Sequence, residues 1–187
     1  MWPAGPIFPR YLGEKMPGTP LDRDSIEHMI EGSPPLLEDF LSLEAQLQPN
    51  GFDMTVRDMS RLISPGAVGA EDSSRVLSEA EVMGFGPDGW LRLEPGPYLV
   101  TFNEVVNLPL DVMALGRPRS SLLRSGVSIH TAVWDAGYHG RSQALLVVYH
   151  PDGYRVQRDA RLMQLIFFQL ETAARRGYQG RFQSENI

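Results

Sequence analysis

The sequence predicts a mainly β domain, a sandwich or barrel of short strands with short helices near its start. Three observations carry this prediction. Gly at 18 and Pro at 15 together exceed one residue in six of the 187, a proportion that favours tight turns and short strands over long helices. From Gln48 onward, Gly and Pro punctuate runs of β-forming residues. Hydrophobic residues make up 42% and charged residues 21%, an ordinary globular balance at a length that suits one domain with a real core.

Taken in order, residues 1–20 contain five prolines and no apolar run of the signal-peptide kind, so they read as an irregular arm. Asp24 or Ser25 is placed to cap a short helix with Ile26, Met29 and Ile30 on one face, ended by Gly32 and Pro34-Pro35. A second helix is expected over Leu36–Leu47, with Phe40, Leu41 and Leu43 towards a core. Pro87-Asp88-Gly89 forms a turn before Trp90–Leu93, and Pro95-Gly96-Pro97 leads into Tyr98–Phe102. Pro151-Asp152-Gly153 separates Gln143–Tyr149 from Tyr154–Gln157. The final apolar run, Leu162–Leu170, reads as a strand, although a buried helix gives a similar run. Residues 60–80 read as a loop or insertion. The expected organisation is one domain over residues 1–187: an arm and short helices at 1–45, a β core at 46–172 and a tail at 173–187.

A formal net charge of -6 disfavours non-specific nucleic-acid binding, which needs an excess of Lys and Arg. A small anion remains admissible where basic residues cluster, as Arg117, Arg119 and Arg124 do. The absence of cysteine excludes disulfides, thiolate zinc sites and a Cys nucleophile. No segment approaches the roughly 20 apolar residues of a membrane span, and the expected location is cytoplasmic. His28, His130, His139 and His150 lack a zinc-like spacing.

The chemistry concentrates in Gly116–Gly140. In Pro118-Arg119-Ser120-Ser121-Leu122-Leu123-Arg124, two hydroxyls and a guanidinium open a short helix. They form either an anion site or a surface helix capped by Ser120. In Trp134-Asp135-Ala136-Gly137-Tyr138-His139-Gly140, a carboxylate precedes a Gly-bounded turn with an aromatic inside it. Asp135 is either a general base for water or an ordinary turn residue.

Together the two blocks resemble the second and third motifs of the dUTPase and dCTP deaminase superfamily. Gln48–Met54 resembles its first motif, Asp159–Phe167 its fourth, and Gly177–Gln183 the tail of its deaminase-like branch. The Pro-Arg-Ser-Ser-Leu-Leu-Arg form is most similar to archaeal-type dUTPases. The resemblance, over roughly residues 45–185, implies a distorted jelly-roll or barrel subunit assembled as a homotrimer with sites between subunits. It implies that Asp135 activates water, that Arg119, Ser120, Ser121 and Gln164 hold phosphates, and that Tyr138 packs on the deoxyribose and bars a 2′-hydroxyl. The resemblance further implies that the backbone of the strand after Gly140, which includes Gln143, reads the uracil edge. It also implies a Mg²⁺ ion on the triphosphate, with Asp53 either orienting its hydration shell or buried as a structural acid. The tail from Tyr178 to Gln183 either closes over substrate or frays.

Arg124 matches the Arg that the deaminase branch places after its Ser-Ser pair. That branch also uses a Glu in the strand after the Gly-x-x-Gly turn. Here Arg141–Val148 contains no acid, and Gln143 cannot take up a proton at neutral pH. Hydrolysis of dUTP to dUMP and pyrophosphate is therefore expected ahead of deamination of dCTP. A non-catalytic nucleotide-binding β-sandwich is the alternative of another class. Two residues depart from the family pattern: Trp134 replaces a smaller aliphatic residue, and Met163 a small one.

Overall fold

A computed structural model describes residues 18–187, so most of the expected N-terminal arm lies outside the described residues. Helix α1 (Arg23–Ile30) buries Ile26 and Ile30. Its cap is Asp22, two residues before Asp24 and three before Ser25. The Asp22 carboxylate accepts from the Ser25 amide at 2.9 Å, satisfying one of the orphan donors at the helix start.

The helix expected over Leu36–Leu47 does not form as one element. Strand β1 (Leu37–Glu38) pairs with Val105 and Val106 instead, and Asp39 has a φ of 57°, a left-handed conformation that no helix continues through. Only α2 (Leu43–Gln46) remains, capped by Ser42. Gln46 organises the stretch: its amide oxygen accepts from the Leu41 and Ser42 amides at 2.8 and 2.9 Å. Phe40 and Leu43 meet the core as expected, but Leu41 is exposed.

The remaining strands are β2 (Leu47–Gln48), β3 (Gly51–Leu62), β4 (Ala80–Met83), β5 (Trp90–Leu93), β6 (Gly96–Phe102), β7 (Val105–Asn107), β8 (Val112–Pro118), β9 (Val127–His130), β10 (Val133–Trp134), β11 (His139–Gly140), β12 (Gln143–Val148), β13 (Tyr154–Gln157) and β14 (Arg161–Gln169), with α3 (Ser120–Arg124) before β9. The last apolar run is thus a strand. The main sheet runs β10-β8-β14-β3-β6-β12-β9, with β2 and β4 also on β3. Its backbone is the twelve-residue β3, whose first half pairs with β14 and second half with β6. Register shifts at Val56/Asp58 and Arg161/Met163 mark bulges, which bend strands and increase their twist. The sheet accordingly curls into a half-barrel around Phe52, Met54, Phe102 and Phe167. Met163 is fully buried, and its sulfur occupies the space over Gly116 that a β-carbon would fill.

The opposite face of the sheet is also apolar. Met113 and Leu115 on β8, Ile166 and Phe168 on β14, and Leu145 and Val147 on β12 alternate with fully buried neighbours, yet are themselves only half-buried. No helix among the described residues is long and apolar enough to cross a membrane.

One acid lies wholly inside. Glu104 accepts from Gln46 Nε2 at 2.7 Å, from the Thr55 amide at 2.9 Å and from the Thr55 hydroxyl. Gln46 also donates to the Asp53 carbonyl at 2.9 Å, so this network joins α2 to β3 where Asp53 sits. Burial raises the Glu104 carboxyl above its ordinary value of 4.5, although its donors pull it down. A raised folded value gives a contribution to stability that is full below the unfolded pKa and is lost as pH rises through the folded one. Chemical denaturation should show this loss above pH 4.5 in the wild type and a flatter profile in Glu104→Gln. Glu104→Ala, which strands three buried donors, should lower stability by about 3 kcal/mol at low pH and by less as the pH rises and the wild type loses its own contribution.

Candidate active site

The expected site residues fall into two groups at the two ends of β8. The first group is built on Asp53. Its side chain is 3% exposed, and Oδ2 meets Arg119 Nε at 3.2 Å and Arg161 Nη1 at 3.4 Å. Burial raises the Asp53 carboxyl above its ordinary value, against the pull of both guanidiniums. Each guanidinium is also tied to backbone: Arg119 donates to the Arg161 carbonyl at 3.4 Å, and Arg161 to the Ala45 carbonyl. The Arg119 amide donates to Leu162 O at 3.0 Å, at the β14 bulge. One carboxylate thus fixes two cations that remain about one-third exposed, leaving a surplus positive charge at the surface.

Ser120 and Ser121 lie beside them, exposed in the first turn of α3, a helix held by the buried Leu122. The residue at the cap position is Arg119, and no side chain caps the helix. Ser120 therefore does not serve as the cap. Gln164 pairs in register with Asp53 on β3 and with Arg117 on β8, which brings it to the same end. Arg124 is exposed at the far end of α3.

The second group surrounds a cavity of about 550 Å³. Trp134, buried in β10, anchors the chain just before Asp135, which is exposed on the cavity wall. The large indole thus serves as a fixed root for the following turn. That turn closes with the Tyr138 amide on the Asp135 carbonyl at 3.0 Å, and Gly137 has a φ of 82°. The position requires glycine twice over, since a β-carbon there would also sit 2.5 Å from the Gly177 α-carbon. Tyr138 is buried in the wall. On β12, Gln143 donates to Thr101 Oγ1 at 2.8 Å, which leaves its amide oxygen as an acceptor beside the cavity. Leu62, Leu77 and Ser78 form another wall, giving part of the 60–80 insertion a place in the site.

The tail is packed, not frayed. The Tyr178 amide donates to Ala136 O at 2.9 Å, and the rings of Tyr138 and Tyr178 meet edge to face at 5.8 Å. Gln183 both donates to Gly137 O and accepts from the His139 amide, at 3.1 and 3.2 Å. The tail also carries a carboxylate that sequence reasoning missed. Glu185 lines the cavity and accepts from the Tyr138 phenol at 2.8 Å. Burial raises the Glu185 carboxyl, and burial together with the Glu185 charge raises the Tyr138 phenol. Strand β12 is free of acids as its sequence shows, but the cavity is not. Arg161, Ser142 and Glu185 were all absent from the expected site. Only Arg161 had a signal, as the Arg of the Arg-x-x-Gln pattern.

None of Arg119, Ser120, Ser121, Arg124, Gln164 or Asp53 lines the Asp135 cavity. Trp134 pairs with Ala114, so five to six strand residues, about 16–20 Å, separate the level of Asp135 from that of Arg119. One chain does not bring the two groups into contact. Among the described residues, no group of three or more His, Cys, Asp or Glu is placed to hold a metal ion.

Comparison with known proteins matches this architecture. The family model described as dCTP deaminase-like covers residues 21–170. A probable deoxyuridine 5′-triphosphate nucleotidohydrolase of Methanococcoides burtonii is 46% identical over 169 residues, 90% of this chain and 99% of that protein. A relative of the same description from Archaeoglobus fulgidus is 44% identical over 167 residues, 89% of this chain and 97% of that one. The crystal structure of a 2′-deoxycytidine 5′-triphosphate deaminase from Agrobacterium tumefaciens shares the fold with a TM-score of 0.60 at 21% identity, over 82% of this chain and 49% of that one. The chain belongs to the dCTP deaminase-like family.

Proposed function

We propose that this protein is a cytoplasmic dUTP diphosphatase acting as a homotrimer, with each active site shared between two copies. The observation that carries the reading is Asp135, a carboxylate exposed on a nucleotide-sized cavity beside a buried Tyr138 and an acid-free strand β12. The archaeal relatives, at 42–46% identity over about nine-tenths of the chain, carry dUTP hydrolysis in their names.

In this mechanism the base and sugar occupy the cavity, and Tyr138 walls off the 2′ position. The triphosphate reaches the Arg119, Ser120, Ser121 and Gln164 end of a second copy, where guanidinium and hydroxyl donors take phosphate oxygens. Arg124 and Tyr178 flank the nucleotide from α3 and from the tail. Asp135 accepts a proton from water as the water oxygen attacks the α-phosphorus. The bond from that phosphorus to the bridging oxygen breaks, and pyrophosphate leaves with the bonding pair. Positioning and electrostatic stabilisation supply most of the acceleration, because phosphoryl transfer asks little covalent work of a protein.

The sparse donor set suits a Mg²⁺ ion held by triphosphate oxygens and water instead of a protein-built centre. Such an ion supplies charge neutralisation on the triphosphate. Asp53, buried under two guanidiniums, contributes by fixing Arg119 and Arg161 and not through the ion's hydration shell. Glu185 gives the deaminase reading a specific foothold, since it brings a carboxylate into the cavity. One of its oxygens is already taken by Tyr138, however.

Pyrophosphate release measured across dUTP, dCTP, dTTP and UTP, with ammonia followed in parallel, should show turnover of dUTP without ammonia. Ammonia from dCTP would establish the deaminase instead. Asp135→Asn should lower kcat by about three orders of magnitude or more with an unchanged melting temperature; near-normal turnover would remove Asp135 from its role. Mixing Asp135→Asn with inactive Arg119→Ala copies should restore about one quarter of wild-type activity after subunit exchange, because random pairing regenerates one intact shared site in four. Sites contained within single chains would give no recovery.

A further inference from the structure

Glu185 is held in place by more than its own side chain. Its carbonyl accepts from the Arg141 amide at 2.9 Å, and the preceding Ser184 amide donates to His139 O at 2.8 Å. Asn186 follows, with its amide group donating to the Arg141 carbonyl at 2.9 Å and its carbonyl accepting from Arg141 Nε at 3.2 Å. Arg141 is in turn fixed by Asp39 at 2.7 Å. These contacts lay the tail as a short parallel bridge on Gly140. A β-carbon at Gly140 would approach the Tyr138 hydroxyl to 2.9 Å and the Glu185 amide nitrogen to 3.1 Å. Backbone, phenol and tail are therefore fitted together at this corner.

The corner is polar and opens on the cavity. Ser142 lines it, is 3% exposed, and sets its hydroxyl beside the Tyr138 phenol. Tyr138 lines the same cavity, with a side chain that has two free torsions unless something holds it.

We propose that Glu185 is a positioning residue for sugar selection: its carboxylate fixes the Tyr138 phenol, so that the ring bars a ribose 2′-hydroxyl only while the tail is docked. A hydrogen bond to a carboxylate is stronger and more directional than one between neutral groups, and this one links the tail directly to the sugar wall. Tyr178, packed on the same ring at 5.8 Å, supports the docked position from the other side. In the undocked chain Tyr138 loses both contacts and the wall loosens. Selection against ribonucleotides is then a property of the closed site, and the four residues Tyr138, Tyr178, Gly140 and Glu185 act together. The inference rests on the dUTP diphosphatase reading.

The test is the ratio of kcat/KM for dUTP to that for UTP, measured in the wild type and in Glu185→Ala, Glu185→Gln, Tyr138→Phe and the Glu185→Ala/Tyr138→Phe pair. Glu185→Ala should lower the ratio about tenfold. Glu185→Gln, whose amide oxygen still accepts from the phenol, should stay within about threefold of the wild type. Tyr138→Phe should reproduce the loss, and the double variant should add less than about twofold to it, as expected of residues acting through one contact. An unchanged ratio in Glu185→Ala overturns the inference, as does a Glu185→Gln variant no better than Glu185→Ala. Either result leaves the diphosphatase reading standing if the wild type turns over dUTP. A wild type that does not hydrolyse dUTP overturns both.

Discussion

Strand β8 acts as a ruler. Through its pairing with β10 it carries the acid-bearing turn at one end, and through its continuation into α3 it carries the guanidinium and hydroxyls at the other. A strand is close to inextensible, at about 3.3 Å per residue, and this one is locked on its other side to β14 over seven consecutive register pairs, Met163↔Pro118 to Gln169↔Val112. No side-chain rotation closes the resulting gap. The separation of Asp135 from Arg119 is therefore built into the sheet, and a reaction that needs both must recruit the second group from elsewhere. The proposed sharing of sites between copies follows from that constraint.

Each half is rigid in its own way. Asp135 is exposed but rooted between a buried Trp134 and a turn that only glycine completes. Arg119 is rooted by a buried carboxylate that it shares with Arg161. The chain as a whole carries a net charge of -6, which on long-range grounds repels a nucleoside triphosphate. Screening removes most of that repulsion beyond about 8–10 Å at physiological salt, so the local arrangement decides. Two cations around one buried acid leave a surplus charge whose position is fixed before any phosphate arrives, which is the preorganised form of electrostatic stabilisation.

What the sequence revealed was set by local chemistry. The Pro-Asp-Gly turns located the neighbouring strands because those residues force the chain to reverse whatever it packs against. The Arg-Ser-Ser and Asp-x-Gly-Tyr blocks were legible because their spacing is short. The helix expected over Leu36–Leu47 failed for the opposite reason. Leu36 and Leu37 are claimed by the core, and β1 by β7 nearly seventy residues away, so tertiary pairing overrode a local helical pattern. Asp53 was ambiguous between a hydration-shell ligand and a buried acid, because nothing near it in sequence reveals that Arg119 and Arg161 converge on it. Glu185 was illegible altogether. Its meaning depends on the tail returning to Gly140, forty-five positions earlier, and no periodicity or spacing encodes that return.

The outward face of the sheet supplies the remaining step. Met113, Leu115, Ile166, Phe168, Leu145 and Val147 give β8, β14 and β12 two apolar faces where an antiparallel sheet washed by solvent would alternate apolar with polar. Such strands belong in the middle of a layered structure, and among the described residues one of the layers is missing. A second copy laid against that face would cover it and would at the same time carry a foreign Arg119 toward Asp135. On the proposed reading, the same apolar positions would account for how an acid and a cation held apart by a rigid strand come to act on one phosphate. Docking with the precision that catalysis requires, about 0.5 Å, is more readily achieved by a broad sheet face than by a flexible loop.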